Sequence, residues 1–138
     1  MVTDIKQAIK FYEKLGFVLQ SSLPRSDGQL TVAFLSFETS MMLLGRKDEL
    51  HYENAVRAKQ VRAGPHGLGI VLTLRVSDLE EVYRAVKRAG AKIMMEPEDE
   101  FYGDRVFMFL DPDGYEWKVS QTIRVVSESE VASIVGAS

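Results

Sequence analysis

The two histidines are the residues of this sequence best suited to hold a metal ion. His51, in the segment HYEN, lies close to Glu53, and His66 precedes a Gly-Leu-Gly sequence. Imidazole nitrogens and carboxylate oxygens are ligands for zinc and similar divalent ions. Neither histidine has third and fourth ligands at a recognisable spacing. A metal site and ordinary loop histidines therefore both stay open, and the second interpretation is favoured.

Other reactive groups do not form recognisable patterns. The sequence has no cysteine, which excludes a thiolate metal site, a thiol nucleophile and a disulfide framework. No Ser–His–Asp arrangement stands out, and the segment GPHGLG lacks the glycine spacing of a phosphate-binding loop. No catalytic residue is therefore predicted.

The composition is that of one compact domain. The 138 residues are 46% hydrophobic, which is enough for a sizeable core. Acidic and basic residues are mixed, and the net charge of −3 leaves no basic stripe for nucleic acid. No apolar run approaches the roughly 20 residues that span a bilayer, and no secretory signal begins the chain. We expect no nucleic acid, no membrane association and, by elimination, a cytoplasmic location.

The sequence contains an internal repeat. VTDIKQAIKFYEKLGF, which begins at Val2, aligns without a gap with VSDLEEVYRAVKRAGA, which begins at Val76. Apolar residues recur at helical spacing in both segments, which predicts two amphipathic helices. Each helix begins with the pattern of a capping box and ends at a glycine. The capping residues are Asp4 with Gln7 and Asp78 with Glu81, and the glycines are Gly16 and Gly90.

Each copy is predicted to be a helix followed by three strands. These strands are near Phe17–Ser21, Leu30–Phe37 and Ser40–Gly45, and near Ala91–Met95, Arg105–Leu110 and Tyr115–Gln121. A further strand, Gly69–Val76, precedes the second helix, so the full unit is βαβββ. The counterpart of this strand in the first copy would lie before Met1. Either residues preceding Met1 form it, or another segment replaces it, for example the TIRVV of the tail.

The repeat defines the predicted organisation of the chain. Residues 1–121 form a single domain, with a first unit at 1–45, a polar linker at 46–67 and a second unit at 68–121. Residues 122–138 are a C-terminal extension. The run EPEDEFYGDR, from Glu96 to Arg105, is predicted to be a solvated loop whose Phe101 and Tyr102 can cover a binding site.

The repeat, together with the segments FYEKLGF, VSDLEEVYRAVKRAG and FLDPDGYEW, resembles the vicinal oxygen chelate superfamily. This superfamily includes glyoxalases, extradiol dioxygenases, fosfomycin-resistance enzymes and bleomycin-resistance binding proteins. The resemblance extends from Met1 to about Gln121. It implies an α+β fold in which tandem βαβββ repeats form a curved mixed-sheet cup, here with the first strand of the first repeat truncated. One architecture serves many chemistries, so activity must be argued from the site.

In the enzymes of that superfamily, His, Glu or Gln side chains from four strands bind a divalent metal in the cup. Carried over residue by residue, the resemblance places three of these positions at Leu44, Val71 and Lys118. The fourth lies in the leading strand before Met1. Valine and leucine offer no lone pair, and a lysine ammonium repels a cation. We therefore expect no metal and no other cofactor, and we argue against glyoxalase-type proton transfer and dioxygenase chemistry.

Alternation along the strands assigns the rest of the cup lining. Where Val71 and Lys118 face inward, residues at steps of two do so as well, and Trp117 faces the helices. The predicted ligand-binding residues are Val32, Phe34, Met42, Leu44, Val71, Thr73, Arg75, Tyr102, Met108, Glu116 and Lys118. Apolar walls with a few polar groups are typical of pockets for organic ligands. Alternatively, Arg75, Glu116 and Lys118 form only an ion-pair cluster.

These observations support three hypotheses. The preferred one is a metal-independent binding protein of the bleomycin-resistance type, which sequesters a hydrophobic or aromatic small molecule such as an antibiotic. The alternative is a glyoxalase-like, metal-dependent lyase or isomerase with unidentified ligands. The third is a domain that regulates or assembles with another protein. The resemblance also implies a homodimer, since small two-unit members of the superfamily commonly pair.

Overall fold

The computed structural model describes residues 1–48, 54–127 and 129–130. The chain divides into two compact units. The first unit comprises Met1–Leu68 and Pro112–Tyr115, and the second comprises Gly69–Asp111 and the chain from Glu116 onward. The division between Leu68 and Gly69 lies close to the predicted start of the second repeat. Each unit is described by itself.

The first unit consists of a three-stranded antiparallel sheet, a first helix that packs on it, and a second helix. Its elements are α1 (Ile5–Lys14), β1 (Val18–Pro24), β2 (Leu30–Phe37), β3 (Ser40–Gly45) and α2 (Ala55–Ala63). The sheet order is β1-β2-β3. Helix α1 begins at the predicted place, because the Asp4 carboxylate accepts a hydrogen bond from the Gln7 backbone N–H at 3.0 Å. Its buried stripe packs on the sheet, whose Ala33 and Leu35 are fully buried.

The second unit is a complete βαβββ unit. Its elements are β4 (Val71–Arg75), α3 (Leu79–Ala89), β5 (Lys92–Asp99), β6 (Asp104–Leu110) and β7 (Glu116–Thr122). The sheet order is β4-β7-β6-β5, with β4 parallel to β7 and the other pairs antiparallel. The α+β fold and the βαβββ unit predicted from the sequence are confirmed.

Helix α3 has both predicted end signals. The Asp78 carboxylate accepts from the Glu81 backbone N–H at 2.9 Å, and Gly90 ends the helix in the left-handed conformation, with φ of 77°. The helix buries Leu79 and Val86 completely, and the sheet face that it covers contains the fully buried Phe107. The core of the second unit therefore lies between α3 and one face of the four-stranded sheet.

The place of the missing leading strand is marked by Val2. The Val2 backbone N–H donates to the Gly45 carbonyl at 2.9 Å, and Val2 forms a parallel bridge with Arg46. In the second unit, the Val76 backbone N–H makes the same bond to the Ser120 carbonyl at 2.9 Å. Val2 thus occupies the position of Val76, the residue that follows β4.

The described part of the tail does not replace that strand. After β7 ends at Thr122, the backbone N–H groups of Ile123 and Arg124 both donate to the Gly103 carbonyl, at 2.9 and 3.1 Å. This segment therefore lies beside the β5–β6 turn. The replacement hypothesis is wrong for residues 123–127, and residues 131–138 lie outside the described part of the chain.

Two predicted boundaries need correction. The segment predicted to be a linker contains helix α2, whose polar sequence lacks the apolar stripe that reveals α1 and α3. Strand β5 continues to Asp99 and β6 begins at Asp104, so only Glu100–Gly103 of the predicted loop is a turn. Strand β5 lies at the sheet edge and contains Pro97 between charged residues, a composition that edge strands tolerate.

Among the described residues, no helix is long and apolar enough to cross a bilayer. The cytoplasmic location stays a prediction.

Candidate functional site

Two residues predicted to line the site in the first unit, Met42 and Leu44, face α1 instead. In the β2–β3 ladder, Leu44 pairs with Ala33 and Met42 pairs with Leu35. Directly paired residues share a sheet face, and Ala33 and Leu35 are on the face buried against α1. Leu44 itself is 3% exposed. The predicted inward orientation of Met42 and Leu44 is therefore wrong.

The error arises because the β6–β7 hairpin of the second unit has one residue more than the β2–β3 hairpin of the first unit. Phe34 and Met108 are equivalent in the repeat, and they pair with Leu43 and Lys118 respectively. The counterpart of Lys118 is thus Leu43 rather than Leu44. Leu43 is 51% exposed. The face of the first sheet opposite α1 therefore has an apolar surface, formed by Val32, Phe34, Met41 and Leu43.

The second sheet brings most of the predicted site residues together on the face opposite α3. Lys118 pairs with Met108 on β6 and with Thr73 on β4, and Glu116 pairs with Val71. Trp117 and Val119 alternate with them and are buried on the α3 side, as predicted. We call this surface the site face, and its members are Val71, Thr73, Arg75, Met108, Glu116 and Lys118.

Lys118 makes a close contact with Tyr102 above the site face. The Lys118 Nζ donates to the Tyr102 hydroxyl oxygen at 2.8 Å, and it lies 5.3 Å from the centroid of the phenol ring. Among residues 1–48, 54–127 and 129–130, no carboxylate lies within 4 Å of this ammonium. The position of Tyr102 in the β5–β6 turn thus gives the lysine a neutral partner.

The β5–β6 turn is fixed by the residues that follow β7. Gly103 has φ of 95°, a left-handed value that favours glycine. A side chain there would collide with the carbonyl oxygen of Arg124. The Arg124 guanidinium also donates to the Phe101 carbonyl at 3.1 Å. The tail therefore positions the turn that presents Tyr102 to Lys118.

A buried carboxylate that the sequence analysis did not select, Asp104, lies at the end of the same face. Its oxygens accept from the hydroxyl groups of Ser120 at 2.7 Å and Thr122 at 2.8 Å. Arg75 Nη2 lies 3.4 Å from the carboxylate. The Ser120 hydrogen bond lowers the pKa of Asp104; Thr122, Arg75 and Lys118 act in the same direction, and desolvation opposes them.

The observed partners of Arg75 and Lys118 differ from those of the predicted ion-pair cluster. Arg75 pairs with Asp104 rather than with Glu116, and Lys118 bonds to Tyr102. Within the described chain, no ion pair joins Arg75, Glu116 and Lys118 to one another. The alternation that placed Val106 and Met108 on one face also places Asp104 there, so the signal for this residue was present in the sequence.

His66 belongs to the first unit, whereas the site face belongs to the second. His66 stacks on Tyr115 in the first unit, with ring centroids 6.5 Å apart and planes inclined by 10°. His51 and Glu53 lie outside the described residues. In the described ranges, no three His, Cys, Asp or Glu side chains cluster closely enough to hold a metal ion.

A cavity of about 360 Å³ lies in the first unit, at the start of α1. Its lining residues are Thr3, Asp4, Ile5, Lys6, Gln29, Leu30 and Arg46. None of the predicted site residues lines it. Arg46 Nη1 donates to the Gln29 side-chain oxygen at 2.6 Å, so one of the two cationic side chains that line this cavity is already engaged.

Comparison with known families agrees with the two-unit architecture. A family model described as the glyoxalase/bleomycin resistance protein/dioxygenase superfamily matches residues 1–119. The chain belongs to this superfamily. The solved structure of TioX from Micromonospora sp. ML1 has a TM-score of 0.71 at 24% identity, covering 88% of this chain and 92% of TioX. A superfamily enzyme from Burkholderia phytofirmans has a TM-score of 0.69 at 19% identity, with coverage of 88% and 92%. At these identities the structures establish the fold alone.

Curated relatives from mycobacteria match almost the whole chain. An uncharacterized protein of Mycobacterium bovis is 26% identical over 141 residues, covering 99% of this chain and 89% of that protein. Uncharacterized proteins of Mycobacterium tuberculosis have the same identity and cover 79% of their own length.

The residues at the positions where the resemblance to the superfamily implies metal ligands do not fit a metal ion. In the second unit, Val71 has no ligand atom, and Lys118 presents an ammonium that donates to a phenol. In the first unit, Leu43 has no ligand atom either. The inference is the same whether Leu43 or Leu44 is assigned to the first-unit position, because both residues are leucines. The site face instead offers hydrogen-bond donors beside apolar side chains.

Proposed function

We propose that this protein binds an apolar or aromatic small molecule at the site face, without a metal ion. The observation that carries the proposal is the bond between Lys118 Nζ and the Tyr102 hydroxyl, 2.8 Å long, at a position where the superfamily's enzymes have a metal ligand. A positive charge fixed there disfavours a divalent cation and favours a polar organic group.

The apolar part of the proposed surface is supported by exposed side chains. Val71 is 47% exposed and Met108 is half-buried beside Lys118. Phe101, which contacts the Tyr102 ring edge-on with centroids 5.3 Å apart, is 41% exposed. Methionine and aromatic side chains adapt to flat organic ligands. The proposed ligand is therefore held by apolar contacts and oriented by the lysine and tyrosine.

Sequestration of an antibiotic is the physiological role that we propose for this binding. The superfamily takes part of its name from bleomycin resistance, and a binding role needs no catalytic group. We further propose a homodimer, which is supported by the apolar face of the first sheet, where Met41 is 72% exposed and Leu43 is 51% exposed.

A thermal-shift screen tests the proposed function. Protein purified with a chelator is mixed with aromatic natural products, peptide antibiotics and acyl thioesters, and the melting temperature is recorded. We expect at least one compound to raise it, because a ligand that binds only the folded state stabilises that state. The variant Lys118→Glu should lose this stabilisation, whereas Arg84→Glu, at an exposed position of α3 and thus away from the site face, should keep it.

Failure of every compound to stabilise the wild-type protein would contradict the proposal. The alternative, a metal-dependent lyase or isomerase, predicts a near-stoichiometric zinc, nickel, iron or manganese content in protein purified without a chelator. Elemental analysis of that preparation separates the two functions.

A further inference from the structure

We propose that the Lys118–Tyr102 pair recognises an oxyanion, so that the ligand is an apolar or aromatic molecule that carries a carboxylate or phenolate. This inference deepens the proposed function and rests on it. It assigns the chemistry of the ligand's polar group, which the proposed function leaves unspecified.

The first argument is the balance of donors and acceptors. An ammonium has three N–H donors, and one of them is used by the Tyr102 hydroxyl oxygen. That oxygen accepts from Lys118, so the hydroxyl proton is left to donate elsewhere. Among the residues that the structure describes, neither side chain has another hydrogen-bond partner. Two N–H groups and one O–H group are thus available beside each other with no acceptor, which is the arrangement that an oxyanion satisfies.

The second argument is the charge around the pair. The carboxylates on this face are Asp104 and Glu116. Asp104 is already engaged by Ser120, Thr122 and Arg75. Glu116 lies two residues from Lys118 on the same strand, which separates their backbones by roughly 7 Å, and it makes no ion pair with Lys118 within the described chain. Lys118 therefore makes no ion pair within the described chain, and its charge acts on Asp104 only as the last of the influences that lower the pKa of that carboxylate.

The third argument is a second lysine–tyrosine pair that differs in one respect. Lys87 Nζ lies 5.1 Å from the centroid of the Tyr83 ring, much as Lys118 lies over Tyr102. The Tyr83 hydroxyl, however, donates to the Glu96 carboxylate. A carboxylate of the protein therefore occupies at Tyr83 the place that we assign to the ligand's oxyanion at Tyr102. The protein itself supplies an example of the arrangement.

The apolar neighbours of Lys118 define the rest of the ligand. Met108 is the direct cross-strand neighbour of Lys118, and Val71 lies on the adjacent strand. Both present carbon surface on the same face as the ammonium. An oxyanion bound at Lys118 and Tyr102 thus places the body of the molecule against apolar side chains, where a simple inorganic anion gains nothing.

The test uses three compounds that share one naphthalene ring and differ in charge: 2-naphthoate, methyl 2-naphthoate and 2-naphthylmethylammonium. Their affinities are measured by isothermal titration calorimetry at low ionic strength with chelated protein. We expect naphthoate to bind about tenfold more tightly than the methyl ester, since hydrogen bonds to a charged group exceed those to a neutral one. The ammonium compound should bind most weakly.

Variants assign the preference to the pair. Lys118→Met should reduce naphthoate affinity about tenfold and leave the ester affinity largely unchanged. Tyr102→Phe keeps the ring but removes the O–H donor, so naphthoate affinity should fall severalfold. Glu116→Gln removes a neighbouring negative charge and should raise it. The matched control Lys87→Met removes the other tyrosine-bound lysine and should have no effect.

The outcomes separate the two proposals. Equal affinities for naphthoate and its ester, or an undiminished preference in Lys118→Met, overturn the oxyanion inference and leave the binding function intact. Failure of all three naphthalene compounds, when other aromatic compounds stabilise the protein, also overturns the inference alone. Failure of every compound in both experiments overturns the inference and the proposed function together.

Discussion

At the scale of single residues, Asp104 is a buried carboxylate whose protonation affects the stability of the second unit. The residue is 7% exposed. Its carboxylate accepts hydrogen bonds from two hydroxyl groups and faces the Arg75 guanidinium. Its folded-state pKa lies below the usual value, so the ionised form stabilises the fold above the unfolded pKa. That stabilisation is lost as the pH falls through the folded-state pKa.

Substitution of Asp104 tests this linkage. We expect Asp104→Asn to reduce the free energy of unfolding at neutral pH by about 1–3 kcal/mol, because the hydroxyl groups of the buried Ser120 and of Thr122 lose a charged acceptor. Urea unfolding from neutral pH to about pH 2 should show the difference from wild type shrinking on acidification. The acid unfolding transition of Ser120→Ala should lie at a higher pH than that of the wild type, because the Ser120 hydrogen bond lowers the pKa of Asp104. Parallel pH profiles for Asp104→Asn and wild type would contradict this account.

At the scale of elements, the two β-hairpins determine which leucine belongs to the core. The pairing of Leu44 with Ala33 directs its side chain toward α1, and the pairing of Leu43 with Phe34 directs Leu43 to the opposite face. The side-chain period of a strand is two, so a register difference of one residue exchanges the faces completely.

Alanine substitutions distinguish the two registers. Leu44→Ala should cost about 2–5 kcal/mol of unfolding free energy, because it opens a cavity beneath α1. Leu43→Ala, at a half-exposed position, should change stability by less than about 1 kcal/mol. Chemical denaturation of the two variants measures both values. The reverse order of effects would contradict this register and favour an arrangement in which Leu44 lies on the face opposite α1.

The β5–β6 turn is a second element whose geometry matters, because it presents Tyr102. Gly103→Ala combines a strained positive φ with a collision against the Arg124 carbonyl. Gly28→Ala is a matched control, since Gly28 has φ of 76° and a Cβ there would meet nothing within 4 Å. The strain alone costs roughly 1–2 kcal/mol.

We therefore expect Gly103→Ala to be clearly less stable than Gly28→Ala in urea unfolding. Gly103→Ala should also weaken the preference for naphthoate over its methyl ester, because Tyr102 is displaced from Lys118. An unchanged naphthoate preference in Gly103→Ala would show that the tail does not position the tyrosine.

Sequence patterns predicted the elements that carry capping residues, an apolar stripe or a run of strand-forming residues. Asp4 and Asp78 predicted where α1 and α3 begin, and Gly90 predicted where α3 ends. Strands β2 and β3 were predicted with the bounds that the structure has. Helix α2 lacks an apolar stripe and was missed. Strand β5 carries a proline and charges, which are compatible with a sheet edge and also with a loop.

The candidate site was predicted less completely, for a geometric reason. Period-two alternation correctly grouped Val71, Thr73 and Lys118. Leu44 was assigned to the wrong face because its position was taken from the gapless alignment of the repeat. Such an alignment carries no information about the extra residue in a turn. Tyr102 was selected by its position in a loop, whereas its bond to Lys118 depends on the course of residues 123–124, which no local pattern specifies.

At the scale of the whole molecule, the superfamily fold leaves the chemistry to side chains on each sheet. In both units one face of the sheet packs against a helix, and the opposite face carries the residues discussed above. The first unit has an apolar face without charged groups among Val32, Phe34, Met41 and Leu43. The second unit combines apolar groups with the lysine–tyrosine pair.

The apolar face of the first sheet supports the homodimer proposal at this scale. We expect light scattering after size-exclusion chromatography to give twice the chain mass at micromolar concentration. Met41→Lys together with Leu43→Lys should shift the species toward the monomer, because charges on that surface oppose its burial. The single variant Ile123→Lys, on the exposed tail, serves as the control. A monomeric wild type would contradict the proposal.

The central claim is that Lys118 and its apolar neighbours bind an organic ligand where the superfamily's enzymes hold a metal. Its most direct test is calorimetric titration of 2-naphthoate, or of the strongest compound from the screen, into chelated protein and into protein supplied with zinc, nickel or manganese. We predict the same affinity in every case, with loss of the anion preference in Lys118→Met. Binding that appears only when a metal ion is added would contradict the account.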